Sequence, residues 1–174
     1  ELNDLFQCAQ KAGKILGAKS VDLLNYPDNR MDSLDLLDVV KTIENYVEKI
    51  NPEMIVTHHI GDLNIDHQIV NQAVITASRP DAKNNVSRVL TFEVPSSTEW
   101  QSPTSNVPFS PNWYEDISND IDYKIEALNI YGSEMREWPH SRSIKAVNHL
   151  ASLRGSSVGV DSAEAFMLVR EIKK

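Results

Sequence analysis

The residues best suited to chemistry lie in one stretch, Thr57-His58-His59-Ile60-Gly61-Asp62-Leu63-Asn64-Ile65-Asp66-His67, which holds three of the chain's five histidines and two carboxylates. Neutral imidazole is a standard ligand for zinc and other divalent metals, and a neighbouring carboxylate either ligates the metal or orients the ring. One histidine and one aspartate do not complete a site that needs three protein ligands and an open position. In an extended segment His58 and His59 point to opposite sides, so at most one of them faces the site. A hydrogen-bonded loop without metal is the competing reading of these residues.

Elements on both sides must position this stretch. Met54-Ile55-Val56 reads as a short buried strand, and Ile65, Ile69, Ala73 and Ala77 recur at helical spacing. The polar cluster is therefore expected on a strand-to-helix loop, at the carboxyl end of a strand, where α/β folds place their ligands. Asn64 or Asp62 is the expected cap, with Asp66 and His67 in the first helical turn. Upstream, Leu2, Leu5, Phe6, Ala9, Ala12 and Leu16 form an apolar stripe closed by Gly17, and residues 21–24 read as a strand. Tyr26-Pro27-Asp28-Asn29-Arg30 is a turn whose Asp28 and Arg30 either reach the site or pair with each other. Ser33 is expected to cap a helix striped by Leu34, Leu37, Val40, Ile43, Val47 and Ile50, which Asn51-Pro52 ends. Strand alternating with helix implies right-handed crossovers and a mostly parallel sheet.

Downstream, residues 86–94 read as a further strand. The next stretch, to Pro111, is a Pro-rich loop (Pro95, Pro103, Pro108) whose Trp100, Phe109 and Trp113 either wall a cleft or pin the loop. Ser118 is expected to cap a helix striped by Ile121, Ile125, Leu128 and Tyr131, and a second helix is expected over residues 143–153, stopping at Arg154-Gly155. Residues 166–169 suit a short strand or a buried helical turn.

A chain of 174 residues with 41% hydrophobic and 24% charged residues is expected to form one soluble globular domain. A net charge of −8 argues against a nucleic-acid-binding surface. The single Cys8 excludes an internal disulfide, fits a reducing compartment and reads as a small apolar residue. No apolar run approaches the roughly 20 residues of a membrane span, and no signal peptide opens the chain, so a cytoplasmic protein is expected. The chain starts without Met, in what reads as a helix with no strand before it, which leads us to expect an N-terminal truncation of the domain over residues 1–174.

The order of residues narrows the choice. Thr57-His58-His59-x-x-Asp62-x-Asn64-x-Asp66-His67, followed by Ala73, Ala77 and Arg79-Pro80, resembles the second signature of the PIG-L/LmbE-like N-acetylglucosaminyl deacetylases. The similarity continues in Val94-Pro95-Ser96-Ser97-Thr98-Glu99-Trp100, Tyr131-x-x-Glu134-Met135-Arg136, Pro139-His140-Ser141-Arg142-Ser143, Arg154-Gly155 and Ala163-Glu164-Ala165-Phe166. The resemblance implies a Rossmann-like three-layer fold that lacks its first strand or strands here. It implies zinc, or another divalent metal, as cofactor and an N-acetylated amino sugar as small-molecule substrate. His67 matches the family's histidine metal ligand. The family's first signature, His-Pro-Asp-Asp, supplies two further ligands and the general base and is absent here, so this chain by itself is expected to bind metal weakly and to be inactive.

The resemblance implies roles for other residues too. Asn64 stands where many relatives have His and can donate a hydrogen bond but cannot act as an acid. His140 is the candidate replacement, as electrophile or acid, while His149 reads as a helix-face residue. Asp66 is the remaining candidate at the catalytic centre, with His59 and Asp62 supporting His67 from behind. Arg30, Arg136 and Arg142 are the candidate binders of an anionic group on the substrate. A different metal-dependent hydrolase and a non-catalytic sugar-binding or assembly module, possible also as a homo-oligomer, are the alternatives.

Overall fold

The computed structural model describes residues 2–81, 85–102 and 107–173, with the side chains of residues 2 and 3 left aside. Leu2's side chain and Pro103, both used above, lie outside the described set. The chain divides into two compact units, Tyr26–Trp113 with Ala165–Lys174, and Glu1–Asn25 with Tyr114–Glu164.

The first of these units holds the histidine loop. A 3-10 turn, Met31–Ser33, precedes helix α2 at Leu36–Ile50. The helix starts later than Ser33 because the turn takes that segment: Met31 is buried and the Ser33 hydroxyl donates to Arg30 O at 2.7 Å. Asp35 is the cap instead, accepting from Leu37 N at 2.9 Å. The inward face is Leu36, Val39, Val40 and Ile43, while Leu37 and Ile50 of the expected stripe are exposed. Asn51 turns the chain at φ 51° with its N–H on Val47 O, and Pro52 prevents continuation.

Strand β1, Met54–His58, pairs in parallel with β2, Arg88–Phe92, from Met54↔Arg88 to His58↔Phe92. Between them runs helix α3, Ile65–Ala77, which packs with α2 around Met31, Val39, Val40, Ala73 and Ala77. β2 is shorter than residues 86–94 because the Val94 N–H leaves the ladder for the Thr98 hydroxyl at 2.7 Å. Its other edge pairs antiparallel with β4, Ala163–Glu171, with a shift in register between Val89 and Leu90. The 166–169 segment is thus strand, not helical turn. With β3 at Trp113–Asp116 the open sheet runs β1-β2-β4-β3, an α/β arrangement in which the parallel pair carries the histidine loop.

The second unit contains helices α1 (Leu2–Ile15), α4 (Ile121–Ile130) and α5 (Ile144–Ser156). α1 ends as expected: Gly17 sits at φ 70°, with its N–H on Lys14 O and the Ala18 N–H on Gly13 O, the paired bonds of a left-handed cap. Ala9 and Ala12 are buried, but Leu5, Phe6 and Leu16 of the expected stripe are exposed. Residues 21–24 are irregular rather than strand. Among the described residues they have no place in the sheet ladder, and a β segment without a ladder partner leaves its backbone groups to water or side chains. Gln10 Nε2 donates to Val21 O there, at 2.8 Å.

Ser118 does not cap α4. Its hydroxyl donates to Asp116 Oδ1 at 2.5 Å, which closes a turn, and the helix begins after Asp120. Ser143 does cap α5, accepting from Ala146 N at 3.1 Å, and the helix runs through Arg154-Gly155. Gly155 is needed there because the returning chain lies against it: a Cβ would stand 2.6 Å from Val160 O and 2.8 Å from Ser162 N. Both neighbours are backbone and cannot swing away, so Gly155→Ala is expected to cost about 2 kcal/mol, a strain that outweighs its gain in helix propensity. A urea midpoint equal to or above that of the wild type would contradict this. Among the described residues no helix is long and apolar enough to cross a membrane.

Candidate active site

The end of β1 turns into the site through three backbone anchors. Asn71 Nδ2 donates to His58 O at 2.8 Å, His59 N donates to Phe92 O at 3.2 Å, and Gln68 Nε2 donates to Asp62 O at 2.7 Å. Gly61 has no side chain because Val107 O crowds the place where its Cβ would be. His58 and His59 diverge, as an extended segment requires. His58 lies flat on His67, with ring centroids 4.1 Å apart and 14° between planes, and also meets Phe92. His59 turns the other way, with Nε2 2.9 Å from Val107 O and its ring edge-on to Phe109. The ring that supports His67 is therefore His58 rather than His59.

Asp62 is the centre of the loop. It is solvent-inaccessible, and its carboxylate accepts from the Ser97 hydroxyl, the Thr98 hydroxyl (2.7 Å) and Asn64 N (2.8 Å). His67 Nδ1 stands 3.0 Å from Asp62 Oδ1. That contact is short but not aligned as a full hydrogen bond, so it acts chiefly through the electrostatics of the carboxylate on the ring. Burial on its own would raise the Asp62 pKa. The contacts from His67, Ser97, the Asn64 amide and Thr98 outweigh it and hold the carboxyl well below the usual carboxylate range. His58 moves the other way for an imidazole: burial first, then the neighbouring His67, lowers its pKa to about 4, against a smaller opposing pull from Asp62. The His58 ring is neutral near pH 7.

Asp66 faces the preceding loop. Its two oxygens accept from Asn29 N at 2.6 Å and Met31 N at 2.9 Å, which pins the turn that carries Asp28 and Arg30. Asn29 adopts φ 53° there, and Asp28 Oδ2 accepts from Asn29 Nδ2 at 3.1 Å. Arg30 is exposed at the head of the 3-10 turn. Asn64 is the helix cap, with Oδ1 accepting from Asp66 N at 2.8 Å and Nδ2 reaching Asn29 Oδ1 at 3.3 Å. Both ends of its amide are thus committed to the loop. Asn64→Ala is expected to lose about 1 kcal/mol, the usual worth of an N-cap, with Asn64→Asp retaining most of it. Equal urea midpoints for Asn64→Ala and wild type would refute that role.

The remaining candidates belong to the other unit and are held by their own neighbours. His140 Nδ1 accepts from Arg142 N at 3.0 Å, so the neutral ring carries its proton on Nε2. Arg136 Nη1 donates to Ser133 O and Met135 O, and Arg142 Nη1 pairs with Glu134 Oε2 at 3.3 Å. His149 is exposed on α5, against the edge of Trp138.

Reading by residue type overlooked Ser97, Thr98 and Glu99. The Glu99 carboxylate accepts from Ser96 N and Ser97 N, at 2.6 and 3.2 Å, and folds the 96–99 turn so that both hydroxyls reach Asp62. Ser96 at φ 68° allows that tight turn. The signals were Ser-Ser-Thr-Glu after a strand, which is also a common way to begin a turn, and the place of this stretch in the family resemblance.

Among the described residues no three or more His, Cys, Asp or Glu side chains are arranged to hold a metal ion. The oxygens of Asp62 and Asp66 already accept hydrogen bonds from hydroxyls and amides. These residues do not make a complete zinc site.

Residues 7–78 match the family model PIG-L, GlcNAc-PI de-N-acetylase, a span that includes the whole histidine loop. Several solved structures share the fold, and three of them show its extent. A conserved protein of Thermus thermophilus is 18% identical with a TM-score of 0.78, covering 99% of this chain and 76% of that one. The N,N'-diacetylchitobiose deacetylase of Pyrococcus horikoshii, solved with an inhibitor, is 16% identical with a TM-score of 0.74, covering 97% of this chain and 64% of that one. The 4-carboxy-2-hydroxymuconate hydratase of Pseudomonas putida is 19% identical with a TM-score of 0.74, covering 99% and 73%. At these identities the likeness is one of fold. No curated protein matches the chain.

Proposed function

We propose, from a chain that carries the PIG-L pattern over residues 7–78, that this protein removes the N-acetyl group of an amino sugar or sugar conjugate. The observation that carries the reading is His67 itself. It lies inside the matched span, in the first turn of α3, with the buried Asp62 carboxylate 3.0 Å from its Nδ1. In this proposal zinc would polarise the acetamide carbonyl and supply an activated water when bound. His67 would be one of its ligands, and the donors among the described residues are too few for the rest.

His140, protonated on Nε2 when neutral, is a hydrogen-bond donor suited to an amide oxygen that gains negative charge. Asp66 holds the loop that presents Arg30, and Arg30, Arg136 and Arg142 are the candidate contacts for an anionic group on the sugar. The net charge of −8 and the single cysteine favour, in this reading, a cytoplasmic protein that does not bind nucleic acid.

The incomplete ligand set favours one other reading, a non-catalytic sugar-binding or assembly module on the same fold. Acetate release from N-acetylglucosamine derivatives, paired with elemental analysis for zinc, decides between them when done on the protein as its gene encodes it. The deacetylase reading expects zinc and acetate release, with a fall of about 100-fold or more in His67→Ala, since loss even of a ligand's supporting partner costs about 10–100-fold. Sugar binding with neither zinc nor acetate would leave the module. Turnover of a different amide or of a phosphorylated substrate, without acetate, would identify another hydrolase.

A further inference from the structure

Ser97 and Thr98 lie after β2, 35 and 36 residues beyond Asp62 in sequence, yet both hydroxyls end on the carboxylate that faces His67. We propose that they are positioning residues: they hold the Asp62 carboxylate against His67 Nδ1 and so keep the proton on that nitrogen and the lone pair on Nε2. The inference rests on the reading of His67 as the working histidine of the site, but its test does not depend on turnover.

Hydrogen-bond bookkeeping fixes the direction of each bond. Thr98 Oγ1 accepts from Val94 N at 2.7 Å, so its one hydrogen is available to Asp62 Oδ2. The Ser97 hydroxyl and Asn64 N both point at Oδ1, the oxygen that also faces His67. An ionised carboxylate accepts all of these, whereas a protonated one would have to spend a hydrogen where only donors stand. With negative charge 3.0 Å from Nδ1, the neutral imidazole is favoured with its proton on that side. Because the Asp62–His67 contact is not well aligned, the ring by itself does not hold the carboxylate in place. The two hydroxyls do, from an element with its own anchors: Leu63 N donates to Ser97 O at 3.4 Å, and Gln101 Nε2 to Asp62 O at 3.1 Å. The 94–101 segment therefore clamps the histidine loop and, through the Asp62 carboxylate, sets the state of the His67 ring.

Nitrogen-15 correlation spectra of the histidine rings in the metal-free protein, at neutral pH, read the tautomer directly. The wild type is expected to show His67 with Nδ1 protonated and Nε2 bare. Ser97→Ala and Thr98→Val are each expected to lose that single-tautomer pattern, and Thr98→Ser to restore it. A merely structural role for the hydroxyls would lower stability and leave the tautomer unchanged. His67 protonated on Nε2 in the wild type would overturn the proposal, as would an unaltered pattern in folded Ser97→Ala and Thr98→Val. Should Thr98→Val fail to fold, Ser97→Ala and Thr98→Ser decide the matter in the same way. A protein with the expected tautomers that releases no acetate would sink the deacetylase reading and leave this one standing.

Discussion

Asp62→Ala is expected to lower the stability of the protein by about 3 kcal/mol, the largest effect of any single change at the site. The substitution removes the acceptor for the Ser97 and Thr98 hydroxyls and for Asn64 N in a place closed to solvent. Each buried donor left without a partner costs about 1–3 kcal/mol, and hydroxyls that can rotate toward other acceptors fall near the lower end. Asp62→Asn keeps a carbonyl oxygen with two lone pairs and is expected to lose less. Urea denaturation gives the result as a shift of midpoint at unchanged slope. A loss under about 1 kcal/mol for Asp62→Ala would mean that the network is not holding the loop.

Acidification is expected to weaken the fold well before Asp62 is protonated, through His58. Its pKa is about 4 in the folded protein against 6.5 for the free side chain. Between those values the unfolded chain binds a proton that the folded chain refuses, so unfolding takes up protons and stability falls as pH drops. The contribution is fully present above pH 6.5 and declines toward pH 4, by about 3 kcal/mol in all at about 1.4 kcal/mol per pH unit. Asp62 has a depressed pKa, so its own contribution is present above the unfolded carboxylate value near 4 and is lost only below it. The two windows do not overlap. Urea midpoints at pH 7, 6 and 5 for wild type and His58→Phe separate the effects: the wild type is expected to lose stability steeply over this range and the variant much less. Parallel curves for the two proteins would rule out His58 as the source.

Much of the fold could be read along the chain, because local chemistry decides it. Pro52 stops α2 whatever surrounds it, Gly17 accepts the left-handed cap of α1, and Asn64 and Ser143 cap their helices with side chains that reach only two or three residues ahead. The alternation of strand and helix around residues 54–77 likewise placed the histidine loop after a parallel strand. Competition between neighbouring signals was harder to resolve. Ser33 and Ser118 have the same capping chemistry as Ser143, but a buried Met31 and an adjacent Asp116 drew their hydroxyls elsewhere.

The site divides in the same way. Residue types alone were enough to single out the stretch from Thr57 to His67 as the place for chemistry, and the family resemblance picked His67 within it. Which partner each group takes was decided in three dimensions. Leu37 and Ile50 fit a helical stripe by spacing yet face solvent, because burial depends on where α3 lies and not on period alone. His58 rather than His59 lies on His67, because the direction taken by the chain after β1 selects between adjacent side chains. Asp66 spends its charge on the amides of Asn29 and Met31, contacts 35 and 37 residues away that no spacing rule contains. Ser97 and Thr98 reach Asp62 from beyond β2 only because two parallel strands bring their carboxyl ends together. Short-range hydrogen bonding and periodicity are written in neighbouring residues, whereas the orientation of His67 is a property of segments that meet only when the sheet has formed.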